Sequence, residues 1–328
     1  MAVYFLYMKT FGRANGSSAV NAAAYRAGER LHDERTGRTY DHSFRDGVLH
    51  QEIVLPSRFA DSDLGWASER SSLWNSAEAA ESRKNARVAR EFLVALPAEL
   101  DDAQRRDLAV AFARDLSDRY RFAVDLAVHA PRTDPRNHHA HLLATTRELG
   151  IEGFGAKTTL EVDDARRSAL GLEPFYREVL GLRERWAIAT NVALAAANAP
   201  VRVDHRSLEA QGVDREPRPQ LPRPVWLIEQ RGERSVLGDR IRAEYAARVA
   251  ARSARAAMPT VPATATAGVT ADAVRDPTPA DPGPAGVPES LEAVRRRARE
   301  AWLALRRREV TTPDPIAARR GIDDDHGR

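Results

Sequence analysis

A chain of 328 residues with 43% apolar and 30% charged side chains has material for one large folded domain or two ordinary ones, and its composition excludes a disordered or fibrous class. The net charge is only +3, which does not by itself indicate nucleic acid; the lysines are Lys9, Lys84 and Lys157 and every other basic residue is arginine, a bias that fits genomic base composition and phosphate recognition alike. The absence of cysteine excludes disulfides, thiol catalysis and thiolate metal sites, so any metal must be held by His, Asp or Glu.

In chain order, Ala2 to Met8 predicts a first strand, β-branched and aromatic. It lacks the basic leader and cleavage site of a signal peptide, and no stretch of the chain reaches ~18 apolar residues, so the expectation is a cytoplasmic protein with no membrane span. Ser17 to Leu31 predicts an Ala-rich helix opened by a Ser cap. His50 to Leu55 predicts a second strand, and Leu64 to Arg90 a long charged helix with Trp66, Leu73 and Trp74 as its apolar points. Glu91 to Leu96 predicts a strand and Asp101 to Arg119 a helix with Leu108, Phe112 and Leu116 at helical spacing. Phe122 to His129 and His138 to Thr146 flank a turn rich in Pro and Asp, which predicts a hairpin. Further helices are expected over Glu173 to Asn198 and Asp239 to Ala257. Beyond these, residues 258–288 read as a flexible Pro/Ala-rich linker, and 289–328 as a basic helix followed by a disordered tail. The domain expectation is therefore 1–215 as the enzyme-sized body, 216–257 as a helical extension, then linker and tail. The alternation of strands and helices predicts an α/β fold of the α+β kind, an antiparallel or mixed sheet covered by helices.

Chemistry concentrates on the predicted hairpin. Residues two apart on a strand share a face, so His139 and His141 point together, with His129 at the end of the neighbouring strand; His138 has the opposite parity. Three imidazoles so placed can converge on one divalent cation and leave positions open for substrate oxygen. Ordinary loop and core histidines are the competing reading of the same pattern. Tyr25 sits in the helix run AAAYRAG, where alanines allow close approach to the ring. A phenol is a poor nucleophile unless its charge is offset nearby, and Arg13 and Arg26 are candidates for that offset. A packed tyrosine is the alternative.

Four blocks, GSSAVNAAAYRAGERL, LWNSAEAAESRKNARVAREFLVALP, VDLAVH…RNHHAHLLATT and VDHRSLEAQG, resemble in sequence and order the MobA/MobL relaxases, the proteins that nick plasmid transfer origins; the resemblance covers about residues 1–215. It implies a central antiparallel five-stranded sheet with helices on both faces, Tyr25 as nucleophile, and His129, His139 and His141 as ligands of Mg²⁺ or Mn²⁺. It also implies that single-stranded DNA at a transfer origin is the substrate, with mobilisation accessory proteins and a conjugative coupling protein as partners. Glu91 matches a family carboxylate that accepts the Tyr25 proton or orients a ligand histidine; an ion pair with Arg87 or Arg90 is the alternative. Asp125 has the parity of His129 and is a candidate for orienting it. Arg83, Arg87 and Arg90 read as one helix face and with Lys84 as a DNA backbone track, a solvated face with ion pairs to Glu78 and Glu81 being the alternative; Arg13, Arg26 and Lys157 in GFGAK are further expected DNA contacts. Competing readings are a replication initiator or transposase, in which the tyrosine usually follows the histidines, a catalytically silent DNA-binding accessory protein, and a metal-dependent nucleotide hydrolase.

Overall fold

The computed structural model describes residues 3–131 and 134–257, with residue 300 alone beyond them. Strand β1 (Leu6–Gly12) leads through a short turn into helix α1 (Ala19–Ala27). Ser18 caps that helix by accepting the Asn21 amide, and Gly28 ends it in the left-handed region with φ +68°. A hairpin of β2 (Arg30–Asp33) and β3 (Arg38–Asp41) precedes β4 (Val48–Val54). Then come α2 (Gly65–Ser68), α3 (Arg70–Ala79), β5 (Arg87–Ala95) and α4 (Asp102–Tyr120). A second hairpin, β6 (Val124–His129) and β7 (His139–Thr145), is followed by a small one, β8 (Arg147–Leu149) and β9 (Phe154–Lys157), and by α5 (Asp164–Ala169) and α6 (Phe175–Ala196).

Five strands make one antiparallel sheet in the order β1-β5-β7-β6-β4. Their alternating side chains build two cores. Phe92, Leu126 and Leu142 pack on α4 and α6 through Phe112, Leu116 and Trp186. The opposite face, with Leu143, packs on α1 and α3 through Val20, Leu73 and Trp74. The expected α+β arrangement, an antiparallel five-stranded sheet with helices on both faces, is the observed one, and the expected histidine hairpin is β6–β7.

The long helix expected over 64–90 does not form. Helix α3 stops at Ala79, and from Arg87 the chain is strand, because the sheet buries Val88, Ala89, Phe92 and Val94 between its neighbours. Tertiary burial overrides the helix-favouring charges of the preceding run. The hairpins β2–β3 and β8–β9, short and polar, carried no strand signal in the sequence reading.

From Arg206 the chain forms a second compact unit, containing α7 (Arg223–Gln230) and α8 (Val236–Ala257). Within it Arg248 of α8 pairs with Glu216 at 2.7 Å. The linker and tail expected over 258–288 and 289–328 lie outside the described residues, residue 300 excepted. No helix among the described residues is long and apolar enough to cross a membrane.

Candidate active site

Register decides the histidine geometry. His129 pairs directly with His139 across β6–β7, and His141 follows two residues on, so all three rings leave the same face of the sheet. Their centroids lie 4.8 to 5.4 Å apart, and one nitrogen from each falls within 4.8 Å of the others. The remaining nitrogens are held. His139 Nδ1–H donates to the Asn137 carbonyl at 2.9 Å, and His141 Nδ1–H to Glu91 Oε1 at 2.6 Å, leaving both Nε2 lone pairs available. His129 Nε2–H donates to the Arg26 carbonyl at 2.7 Å. Burial pushes the His129 imidazole down to about 4, against the Arg26 hydrogen bond and with help from the charges of its neighbours. Burial also lowers His141, although Glu91 opposes the shift. Imidazoles with oriented lone pairs fit a divalent cation, and their hydrogen-bond partners fix the ring orientation as metal sites require.

The Arg26 carbonyl brings α1 to the trio, and Tyr25 is the residue before it. The buried face of α1 is Ala19, Val20, Ala22, Ala23 and Ala24, small enough for the helix to lie close on the sheet; Tyr25 is on the outer side, 44% exposed. Its ring is contacted by two residues that the sequence reading missed. The Arg45 guanidinium lies over its face, with Cζ 3.6 Å from the centroid, and the His42 ring meets it edge-on at 5.3 Å. The basic-aromatic run His42–Arg45, set between two strands, was the available signal.

Glu91 is 1% exposed and stands on β5 beside β7. Besides His141 it takes Arg26 Nε at 2.5 Å and Lys9 Nζ at 3.1 Å. Burial would raise this carboxyl, but the hydrogen bonds from His141 and Arg26 outweigh it and hold Glu91 far below the usual range. The structure thus brings Arg26, Glu91 and the three histidines together, with Tyr25 the neighbour of Arg26 on α1. Neither Arg87 nor Arg90 is Glu91's partner; both pair with Glu161.

Several expected DNA contacts are instead internal. Arg13 is locked on Glu78 Oε2 at 3.0 Å and on the Glu81 carbonyl at 2.8 Å. Arg26 is buried under Glu91 and on the Ala22 carbonyl. Lys157 is taken up by Glu81 at 2.6 Å, Thr146 and the Arg87 carbonyl. In each case a buried carboxylate or carbonyl distant in sequence competes better than solvent for the cation. Arg83 and Lys84 are exposed, but they lie in the turn before β5 and share no helix face with Arg87. From Arg87 to Ala95, the partner of His139, the strand rises about 26 Å, so that turn is at the far end of the sheet from the trio.

Asp125 does not orient a histidine. Its carboxylate accepts two bonds from Arg70 (Nε at 2.9 Å to Oδ2, Nη2 at 3.0 Å to Oδ1) and one from Trp74 Nε1 at 2.8 Å. Parity put it on the right face, but two rows deeper, where α3 covers it. Asp125→Ala leaves Arg70 buried beside Glu29 alone and is expected to cost about 3–5 kcal/mol. The urea midpoint of the variant checks this, and a loss under about 1 kcal/mol would show that water replaces the pair.

The depressed histidines also set an acid limit. Between pH 6.5 and about 4 the unfolded chain takes up a proton at His129 that the folded chain refuses, so stability falls as pH falls through that window. His141 acts in the same direction. Glu91, held low, contributes stability above its ordinary range that is lost in stronger acid. The metal-free protein is expected to show a lower urea midpoint at pH 5 than at pH 7.5; equal midpoints would mean that the trio is open to water in solution.

Residues 17–231 match the model of the MobA/MobL family. The chain is 37% identical over 260 residues to a mobilization protein MobL of Acidithiobacillus ferridurans, covering 72% of this chain and 66% of that protein. It is 33% identical over 279 residues to a probable conjugal transfer protein TraA of Sinorhizobium fredii, covering 77% of this chain and 25% of that one. A solved structure, described as the molecular basis of vancomycin resistance transfer in Staphylococcus aureus, superposes with a TM-score of 0.51 at 29% identity; the match covers 63% of this chain and all of the other.

Proposed function

The chain belongs to the MobA/MobL family, and from that premise we propose that it nicks one strand of DNA at a plasmid transfer origin and so initiates conjugative mobilisation. The observation that carries this reading is the meeting of the Tyr25 helix with the histidine trio, through the 2.7 Å bond from His129 to the carbonyl of the residue after Tyr25.

The Tyr25 oxygen attacks the phosphorus of a phosphodiester in single-stranded DNA. Its proton passes to water, the bond from phosphorus to the 3′ oxygen breaks, and that oxygen takes up a proton from water and leaves as a free 3′-hydroxyl. The 5′-phosphate stays on the tyrosine as a phosphodiester, so the bond energy is kept and the strand can be rejoined without a nucleotide cofactor. His129, His139 and His141 would hold the cation, Mg²⁺ or Mn²⁺. A cation held by these residues would supply Lewis acidity, offsetting the negative charge that grows on the phosphate in the transition state. Glu91 keeps the His141 ring in one tautomer and orientation and is itself held ionised by Arg26 and Lys9. Accessory mobilisation proteins and a coupling protein are the proposed partners, and the cytoplasm the proposed place of action.

The test uses labelled single-stranded oligonucleotides tiled across the DNA beside the gene, incubated with the protein and Mn²⁺ and run on a denaturing gel. A label that migrates with the protein and resists boiling in detergent is expected from one of them. No adduct on any oligonucleotide, with Mn²⁺ bound, would overturn the reading.

A further inference from the structure

We propose that Arg45 is a positioning residue for the Tyr25 nucleophile: its guanidinium clamps the phenol ring from one face and holds a fixed positive charge over it. The proposal rests on the nickase reading above and assigns a role in it to a residue outside the histidine, tyrosine and glutamate set.

The contact is close. Arg45 Cζ stands 3.6 Å from the Tyr25 ring centroid, whereas the next nearest cation–ring contact among the described residues is 4.5 Å. His42 completes the clamp edge-on, its ring plane at 85° to the phenol, and its Nε2 lies 3.0 Å from Asn21 Oδ1 on the same helix as Tyr25.

The loop that carries Arg45 is anchored to both halves of the site. On one side the His42 N–H donates to the Glu29 carbonyl at 3.1 Å, and the Arg45 N–H to the His42 carbonyl at 3.0 Å. On the other, the Gly47 carbonyl accepts the N–H of Ala130, the residue after His129, at 2.8 Å. Gly28 lets the loop approach the end of α1: a Cβ there would come within 3.3 Å of Val48 Cγ2 and 3.5 Å of the Arg45 carbonyl.

Its hydrogen bonding is incomplete. Arg45 Nε is buried without an acceptor among the described residues. The residue lines a groove of about 410 Å³ together with Gly28, Gly47, Val48 and His50.

The mechanism follows from charge. A cation over a phenol is attracted to the ring's electron density, and that density grows as the hydroxyl proton leaves and the oxygen attacks. The interaction is therefore stronger in the transition state than in the bound complex, so its loss falls on the rate of the chemical step more than on DNA affinity.

The experiment takes the oligonucleotide on which the wild-type protein forms its adduct and compares Arg45→Ala and Arg45→Lys. At saturating oligonucleotide with Mn²⁺, Arg45→Ala is expected to slow single-turnover adduct formation about 100-fold, with the oligonucleotide Kd within about threefold of wild type. Arg45→Lys keeps the charge and should recover part of the rate. Millimolar guanidinium ion should accelerate Arg45→Ala and leave Arg45→Lys unchanged, a rescue that a purely structural defect would not give. Independently of any reaction, the aromatic NMR signal of Tyr25, identified by its loss in Tyr25→Phe, should move in Arg45→Ala. Wild-type rates in Arg45→Ala, or a Tyr25 signal that stays in place, would overturn the proposal. A wild-type protein that forms no adduct overturns the nickase reading instead, and is told apart because Arg45→Ala then has no faster parent to be compared with.

Discussion

Tyr25→Phe is expected to remove the covalent protein–DNA adduct while leaving oligonucleotide affinity within about threefold of wild type, since loss of a covalent nucleophile costs on the order of 10⁶-fold in rate. The substitution removes one oxygen and keeps the ring, so Arg45 and His42 retain their surface and the helix its packing. The side chain is 44% exposed, which makes a folding defect an implausible source of the loss. Adduct on a denaturing gel and Kd by fluorescence anisotropy are the two measurements. A second tyrosine gives the control. Tyr7 is exposed on edge strand β1 opposite Leu93, and Leu93 is opposite His141, so Tyr7 shares a sheet row and a face with that histidine. Tyr7→Phe should keep the adduct. An adduct lost in Tyr7→Phe and kept in Tyr25→Phe would move the nucleophile to the edge strand.

The second large effect is on metal. Replacing His139 and His141 together by Ala leaves His129 as the one imidazole of the trio, its Nε2 still engaged by the Arg26 carbonyl. Titration calorimetry with Mn²⁺ is expected to change from a saturable isotherm to no measurable binding, and adduct formation should disappear with it. Both histidines are only half-buried, so the thermal midpoint of the metal-free variant should stay within a few degrees of wild type. His141→Ala also removes the partner of Glu91 Oε1, but Arg26 and Lys9 still neutralise that carboxylate. Persistent Mn²⁺ affinity in the double variant would place the cation elsewhere in the chain.

The legible part of the sequence was the part governed by short-range periodicity. Strands β4, β5, β6 and β7 could be read because short apolar runs mark strands covered by helices, whereas β1 forms four residues later than its apolar run predicts; the parity of His139 and His141 followed from the two-residue repeat of a strand. The same parity argument failed for Asp125, because it gives the face of a residue and not its depth; Arg70 and Trp74 reach over from α3 to hold it. It failed for 83–90 because charge at helical spacing looks alike on a helix and in a turn leading to a buried strand. The small hairpins β2–β3 and β8–β9 are held by backbone pairing, to which their polar side chains give little sign.

Composition and the fixed periods of helix and strand suffice to establish that the sequence offers no thiol, that Tyr25 lies on a helix following the first strand, and that two histidines two apart share a strand face. The tertiary structure decided where the charges go. Arg13 with Glu78, Arg26 with Glu91, Lys157 with Glu81 and Arg45 on Tyr25 are partnerships between segments that meet only when the sheet and its covering helices assemble. A buried cation takes whichever acceptor packing brings to it, because leaving it unpaired away from water costs more than any local preference can offset.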